Sequence, residues 1–230
     1  LEEVFLAFND VPLAAASLSQ VHRAQLLDGT DVVVKLLRPG ARKLVKNDLR
    51  IIRAARHLVK VFDRRHDGQI DFDRFIRQLR SWLLPELNFR NECKNIRIIA
   101  KELVQFDHIV LPLVYDTLST RNMIVMQYIP GYSLRALIKL KRSKHLPHFP
   151  FSLDGKLVAV SHILSTMSMQ KGHFHADLHP ANIIITPEGK IGLIDFGTID
   201  YFDRHTRQHV LFFFLGTVFS EPAYLVRAIK

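Results

Sequence analysis

The sequence predicts an α+β fold in two lobes, with a β-rich first half that carries inserted helices and a mostly helical second half. Three observations support this prediction. A β-prone hairpin lies near the start of the chain, a long block of helical periodicity follows it, and a second short hairpin interrupts the helical half. The lobes are expected at about residues 1–130 and 131–230, with the helical insert at about 41–84.

The first hairpin lies in "VHRAQLLDGTDVVVKLLRPG", where two β-prone runs flank Asp28-Gly29. This dipeptide favours the tight turn of a hairpin. The second run, Val32–Leu37, is apolar apart from Lys35. A lysine in such a strand either points to solvent at a sheet edge or faces a buried anion, and the strand alone leaves both open.

The remaining elements follow from periodicity and from turn residues. In chain order we predict helices over Ala41 to about Asp63, Phe72–Leu84 and Asn88–Val104, strands over Ile109–Tyr115 and Asn122–Tyr128, and helices over Leu134–Leu140 and Leu157–Gln170. A break is expected at 66–68. The second hairpin, "NIIITPEGKIGLIDFG", is predicted to turn at Pro187–Gly189.

Composition limits the function classes. The chain has 230 residues, a formal charge of +10 and one cysteine, Cys93, so it has no intrachain disulfide. Its charge favours an acidic partner such as nucleotide phosphates, anionic lipid or nucleic acid, but no nucleic-acid-binding motif is present. No apolar run reaches the roughly 20 residues that span a bilayer. The longest run, Val210–Phe219, is predicted to be a buried helix.

The stretch "GHFHADLHPANIIITPEGKIGLIDFG" concentrates the polar residues that carry chemistry. Two interpretations compete. Its histidines could bind a metal directly; these are His173, His175 and His179. Alternatively, its aspartates and asparagine could serve phosphoryl transfer; these are Asp177, Asn182 and Asp195. The second interpretation is favoured because Asp-x4-Asn and Asp-Phe-Gly occur together, downstream of a strand lysine.

Each member of this second set has a physical role in moving a phosphoryl group. Lys35 would neutralise charge on the α- and β-phosphates, and a helix glutamate would orient it. Asn182 and Asp195 offer the hard oxygen ligands that Mg²⁺ prefers. Asp177 would lie beside the acceptor hydroxyl or the attacking water.

Three stretches together resemble the UbiB family of atypical protein-kinase-like proteins, called ADCK proteins in eukaryotes. They are "PLAAASLSQVHRAQLLDGTDVVVKLLRPG", "PELNFRNECKN" and "GHFHADLHPANIII" with "IGLIDFG". The resemblance runs from about Pro12 to Asp200. It implies a two-lobed protein-kinase-like fold that binds ATP or ADP with Mg²⁺ in a cleft between the lobes. Only 33 residues follow Gly197, so we expect a truncated C-terminal lobe.

The resemblance also assigns residues. An alanine-rich loop, where ordinary kinases have glycines, would handle the nucleotide through Ala14, Ala15, Ala16, Ser17 and Gln20. The interlobe hinge, where backbone groups would bind adenine, corresponds to Met126, Gln127 and Tyr128. Glu92 would pair with Lys35, which makes Asp177, Lys35 and Glu92 the catalytic residues and Asn182 and Asp195 the metal ligands. His175 and Asp177 occupy the ends of the kinase His-Arg-Asp motif, which weakens the interpretation of a histidine metal site.

The function implied by the resemblance is an atypical kinase or ATPase. It would hydrolyse ATP or phosphorylate a small or lipid-associated acceptor and support ubiquinone or other isoprenoid-quinone biosynthesis. We expect peripheral contact with an anionic membrane surface, in a bacterium or a mitochondrion, and partners among quinone-biosynthesis proteins. The alternatives are a nucleotide-binding pseudokinase scaffold and a small-molecule phosphotransferase of the aminoglycoside or choline kinase kind. The presence of all five catalytic and metal-binding residues argues against the scaffold, and the alanine-rich loop argues against the small-molecule phosphotransferase.

Overall fold

The computed structural model describes residues 2–55 and 72–229. The chain forms two compact units, the first comprising Leu1–Lys94 and Leu113–Tyr128, the second Asn95–Pro112 and Ile129–Lys230. The division between Lys94 and Asn95 falls inside one helix. The assignment of domains to residues 1–130 and 131–230 stays a prediction.

The described elements combine strands and helices, as the α+β prediction requires. The strands are β1 (Phe5–Phe8), β2 (Ala14–Ala15), β3 (Ser19–Leu26), β4 (Asp31–Leu37), β5 (Ile109–Val110), β6 (Met123–Gln127), β7 (Tyr132–Ser133), β8 (His173–His175), β9 (Ile183–Ile185), β10 (Ile191–Leu193) and β11 (Ile199–Tyr201). The α-helices are α1 (Ala41–Ala54), α2 (Phe72–Glu86), α3 (Phe89–Leu103), α4 (Leu134–Arg142), α5 (Leu153–Ser165), α6 (Arg204–Val218) and α7 (Pro222–Ile229).

The first unit is built on an antiparallel sheet with the order β1-β3-β4-β6, in which β2 also pairs with β3. The predicted hairpin joins β3 to β4. Its turn closes with a hydrogen bond from the Leu26 N–H to the Thr30 carbonyl oxygen at 2.9 Å, and Gly29 adopts φ 84°. Alternate residues of β4, Val32 and Val34, are fully buried, so this strand anchors the core of the unit.

Helices α1 and α2 occupy the predicted insert. Helix α1 begins at Ala41 as predicted and ends at Ala54, with Ala55 as its C-cap. Residues 56–63 of the predicted helix and the break at 66–68 lie outside the described residues. Its buried face, which includes Val45 and Leu49, packs in a small core with Leu87. Helix α2 extends two residues past the predicted end, to Glu86.

The predicted strand Ile109–Tyr115 is wrong as a single element. Ile109–Val110 forms β5, which pairs in parallel with β10 in the second unit. Val114 instead forms a single bridge with Met126 in the first unit. Pro112 lies between these two pairings, and because proline has no N–H to donate, it interrupts a strand ladder.

The second unit contains a four-stranded sheet with the order β5-β10-β9-β7 and a separate pair, β8 with β11. The predicted second hairpin is confirmed as β9 and β10. Its turn has Gly189 at φ 77°, and the Thr186 N–H donates to the Lys190 carbonyl oxygen at 3.0 Å. All three isoleucines of β9 are buried, which fixes the hairpin in the core of the unit.

Helix α5 begins four residues earlier than predicted. The Ser152 side chain accepts a hydrogen bond from the Gly155 N–H at 3.2 Å and so caps the helix before Leu153. At its other end, α5 continues into a π-helical segment, Thr166–Lys171. A polar cap therefore sets a helix boundary that the apolar pattern alone did not locate.

The apolar run Val210–Phe219 is helical, but the prediction that it is buried is wrong. It lies mostly in α6, where Phe213 and Phe214 are 58% and 64% exposed. The consecutive apolar side chains of residues 210–215 point to all sides of this part of the helix. Only some of them are covered, for example where the Phe212 ring stacks on Tyr224 at 6.3 Å. None of the described helices has the length and apolarity needed to cross a bilayer.

Candidate active site

Lys35 and Glu92 form a buried ion pair in the first unit. The Lys35 Nζ lies 2.9 Å and 3.0 Å from the two carboxylate oxygens of Glu92. The side chains are 12% and 3% exposed. Lys35 lies in β4 between Val21 and Ile124 of the neighbouring strands. The predicted pairing of Lys35 with Glu92 is therefore present, and it fixes the orientation of the Lys35 ammonium group.

Glu92 is positioned by the start of α3. It lies in the first turn of this helix, where a negative charge is favoured by the helix dipole. The helix is anchored at Phe89, whose N–H donates to the Arg121 carbonyl oxygen at 3.2 Å. The Phe89 ring also lies 5.5 Å from the Lys35 Nζ. The packing at the start of α3 thus fixes the positions of both the Lys35 and the Glu92 side chains.

The alanine-rich loop forms a tight hairpin. Ala14 and Ala15 pair with Val21 and Gln20, and the Ala16 N–H donates to the Ser19 carbonyl oxygen at 2.9 Å. Residues 14–17 are exposed, whereas Ser19 is 8% exposed. The small side chains at the tip of this hairpin therefore face solvent and do not pack as an interior strand. Their predicted role in nucleotide handling stays a prediction.

The predicted hinge residues use part of their backbone within the first unit. The Gln127 N–H donates to the Leu113 carbonyl oxygen at 2.8 Å, and the Tyr128 N–H donates to the Asp31 carbonyl oxygen at 3.1 Å. Met126 is 4% exposed. Two of the backbone donors that the resemblance offered to adenine are therefore already engaged.

In the second unit, His175 connects two of the predicted polar residues. Its Nδ1 accepts the Asp177 N–H at 3.2 Å, and its Nε2 lies 2.6 Å from the Asp195 carbonyl oxygen. A backbone N–H can only donate and a carbonyl can only accept. The neutral tautomer with hydrogen on Nε2 satisfies both contacts, so His175 ties the loop of Asp177 to the strand end at Asp195.

Asn182 and Asp195 lie at the same end of the β9–β10 hairpin. The register that pairs Ile183 with Leu193 continues in a hydrogen bond from the Ile194 N–H to the Asn182 carbonyl oxygen at 3.1 Å. Both side chains are partly buried. The Asp195 Oδ1 also accepts the N–H of Gly197 at 3.1 Å. The hairpin thus brings together one amide and one carboxylate, donors suited to Mg²⁺.

Asn95 is a positioning residue that sequence reasoning missed. Its Nδ2 donates to the Phe196 carbonyl oxygen at 2.8 Å, and the Phe196 side chain is fully buried. Asn95 lies three residues after Glu92, so the two share one face of α3. A polar residue one turn beyond the predicted glutamate was the available signal.

The three histidines of the metal interpretation have separate partners. His173 Nδ1 lies 2.7 Å from the Glu102 Oε1, while His179 Nδ1 accepts the Ala181 N–H at 3.1 Å at the start of the 3₁₀ turn Pro180–Asn182. His175 binds the two backbone groups described above. Across residues 2–55 and 72–229, no three His, Cys, Asp or Glu side chains are grouped so that they could hold a metal ion.

Comparison with known proteins agrees with this fold. The family described as ABC1 atypical kinase-like domain matches residues 1–227. The chain is 32% identical over 203 residues to AarF domain-containing protein kinase 1 of Xenopus laevis, covering 86% of this chain and 37% of the relative. It is 29% identical to the chloroplastic protein activity of BC1 complex kinase 8 of Arabidopsis thaliana, covering 99% of this chain and 29% of that relative. The chain thus spans about a third of the length of these relatives.

A solved structure shares the fold. The Rv3197–erythromycin complex from Mycobacterium tuberculosis superposes with a TM-score of 0.75 at 24% sequence identity, over 100% of this chain and 55% of the other. At this identity the likeness shows the fold alone. With the family match over nearly its whole length, the chain belongs to the ABC1 atypical kinase-like family, the family of the UbiB and ADCK proteins.

Proposed function

We propose that this chain binds Mg-ATP and transfers its γ-phosphoryl group to water or to a small or lipid-associated acceptor. The observation that carries the proposal is the bridge that His175 makes between the loop of Asp177 and the backbone of Asp195. The buried Lys35–Glu92 pair supplies the fixed cation that the same chemistry needs.

Each residue has a defined task in this proposal. The Lys35 ammonium group, oriented by Glu92, would bind the α- and β-phosphate oxygens. The Asp177 carboxylate would accept the proton of the attacking hydroxyl or water. Asn182 and Asp195 would hold Mg²⁺, which neutralises charge on the phosphate oxygens when it is bound. These two residues suit Mg²⁺ because both side chains offer hard oxygen ligands at one end of the same hairpin.

The finer assignments rest on the resemblance and on charge. We propose ATP rather than ADP as the substrate, the alanine-rich loop as a nucleotide contact, and a role in ubiquinone or isoprenoid-quinone biosynthesis at a membrane surface. The formal charge of +10 supports contact with an anionic surface. Measuring the quinone content of lipid extracts after deletion of the gene tests the biosynthetic role, since unchanged content would contradict it.

The binding step is tested by thermal unfolding with ATP, ADP and GTP, each with and without Mg²⁺. A ligand present at about 100 times its dissociation constant adds about 2.7 kcal/mol of stability. We expect a shift that depends on adenine and magnesium and that Asp195→Asn removes. Asp200→Asn, which neutralises an exposed aspartate in the same unit, is the matched control and should keep the shift. An equal shift in wild type and Asp195→Asn would contradict the assignment of the metal ligand.

The chemical step is tested by phosphate release. Asp177→Ala should abolish release while nucleotide still shifts the unfolding midpoint, because Asp177 is assigned to proton transfer rather than binding. Nucleotide binding without any release by the wild-type protein would favour the pseudokinase scaffold. Release that increases with an added aminoglycoside or choline would favour the small-molecule phosphotransferase.

A further inference from the structure

One side of α1 is lined by cations and forms a groove with α2. We call it the α1 groove; its lining residues are Lys46, Leu49, Arg50, Arg53, Arg80 and Leu84. Its volume is about 300 Å³. A second depression of about 340 Å³ continues from it along α1 and shares Lys46 and Arg50. All of these residues belong to the first unit.

These cations have no carboxylate partners in the part of the chain that the structure describes. No ion pair joins Lys46, Arg50 or Arg53 to an acidic side chain there. The only acidic residue of α1 is Asp48. It lies two positions from both Lys46 and Arg50, which places it about 200° around the helix from each. The charge of this face is therefore not balanced by the helix that carries it.

The spacing of the cations opposes the stability of the helix. Arg42, Lys46 and Arg50 follow one another at four-residue intervals, and Arg53 lies three residues further on. Like charges at these spacings repel each other and destabilise a helix. A folded protein that keeps such an arrangement on an exposed face is well suited to bind an anion there.

Arg42, at the start of this row, lines the second depression, next to the α1 groove. One of its terminal nitrogens donates to the Leu87 carbonyl oxygen at 2.7 Å, whereas its Nε is buried without a hydrogen-bond partner among the described residues. Desolvation and the nearby Arg121 charge lower the pKa of this guanidinium. An anion bound in this depression would offset the repulsion between the Arg42 and Arg121 charges.

We propose that the α1 groove binds a phosphate-bearing anion. Arginine forks and lysine ammonium groups match the oxygens of phosphate groups, and the groove is large enough for one small phosphorylated group. None of its described lining residues is aromatic, so it offers no platform for stacking a base. The phosphate can come from a soluble polyphosphate or from the headgroups of an anionic membrane. This site shares no residue with the proposed Mg-ATP site.

The test compares two variants of equal charge. The groove variant is Lys46→Gln/Arg50→Gln/Arg53→Gln. The control is Lys139→Gln/Lys141→Gln/Arg142→Gln, which removes three cations from the last turn of α4. Binding is measured by calorimetry with inorganic tripolyphosphate and by sedimentation with phosphatidylcholine vesicles that contain phosphatidylglycerol. Magnesium is omitted, and Asp195→Asn is included so that failure of the nucleotide proposal is recognised separately.

We expect the groove variant to bind about 100-fold more weakly than wild type, since each of its three removed cations contributes a factor of about five near an anionic surface. The control and Asp195→Asn should bind within about threefold of wild type. Loss with tripolyphosphate identifies a soluble ligand, and loss with vesicles alone identifies headgroups. The unliganded groove variant should also unfold at a higher temperature than wild type, because the repulsion is removed. Equal binding by wild type and the groove variant, or equal weakening in the groove and control variants, would overturn the proposal.

Discussion

Removing one member of the Lys35–Glu92 pair should destabilise the first unit strongly. Loss of one partner from a buried ion pair costs about 3–5 kcal/mol, whereas an exposed pair contributes about 0–1 kcal/mol. The Glu92 side chain is 3% exposed and short, so the loss caused by Lys35→Met should lie near the upper end of this range. Lys35 is 12% exposed on a longer side chain, so Glu92→Leu should fall near the lower end.

Replacing both residues together measures the interaction energy between Lys35 and Glu92. The variant Lys35→Met/Glu92→Leu buries neither charge, so its loss should be smaller than the sum of the two single losses by about 2–3 kcal/mol. Trp82, the only tryptophan of the chain, lies in α2 of the first unit and is 54% exposed. Its fluorescence during urea unfolding therefore follows the first unit, and circular dichroism follows the whole chain.

The matched control is an ion pair at the same distance, within the sheet that carries Lys35. Arg23 and Asp31 lie 2.9 Å apart, but their side chains are 46% and 47% exposed. Asp31→Asn should change the free energy of unfolding by less than about 1 kcal/mol. The reasoning is refuted if Lys35→Met costs no more than Asp31→Asn, or if the losses of the two single variants at Lys35 and Glu92 simply add.

Three further outcomes are expected. In urea unfolding, Gly131→Ala should lower the free energy of unfolding by about 3 kcal/mol, because φ is 145° there and a Cβ would lie 2.3 Å from a carbonyl oxygen of β9. Gly29→Ala, at φ 84° in open space, should lower it by only about 1 kcal/mol. Leu193→Ala should cost about 2–5 kcal/mol, since the side chain is 2% exposed, whereas Val158→Ala, at a position 71% exposed, should change stability by less than about 0.5 kcal/mol in the same assay. The Asp203 side chain accepts the N–H of the third residue of α6, and this bond lowers the pKa of the carboxyl below 3.8. The contribution of Asp203 is therefore fully present above about pH 3.8 and lost as the pH falls through the lower, folded value, so wild-type unfolding midpoints should decline more steeply in this range than those of Asp203→Asn, and parallel profiles would contradict the assignment.

Local chemistry explains which parts of the fold were predictable. Asp28-Gly29 specifies its own turn, and alternating burial along β4 needs only the neighbouring strands. The Lys35–Glu92 pair is different because its members are 57 residues apart in the sequence. Nothing local pairs them, and the prediction came from family resemblance.

Partners distant in sequence explain what could not be predicted. Asn95 donates to a carbonyl oxygen 101 residues away, and the backbone atom it contacts carries no signature in the sequence. The run at Val210–Phe219 has the composition of a buried helix, but burial depends on which elements cover it, and that is decided by tertiary packing. Pro112 can be read from the sequence, but its effect cannot. Ile109 and Val114 join different sheets, and this depends on which strands are available to pair with them.

His175 and Asn95, whose positioning role could not be predicted from the sequence, have the same physical effect. His175 contacts the carbonyl oxygen of Asp195 at 2.6 Å, and Asn95 donates to that of Phe196 at 2.8 Å. Two consecutive peptide groups are thus held by side chains that carry no charge in these contacts. The backbone at Asp195 is fixed in this way, and its carboxylate also accepts the N–H of Gly197. If Asp195 holds Mg²⁺ as proposed, little binding free energy would be spent on ordering it. In the proposed Mg-ATP site, His175 and Asn95 therefore act as positioning residues for Asp195, through the backbone that they hold.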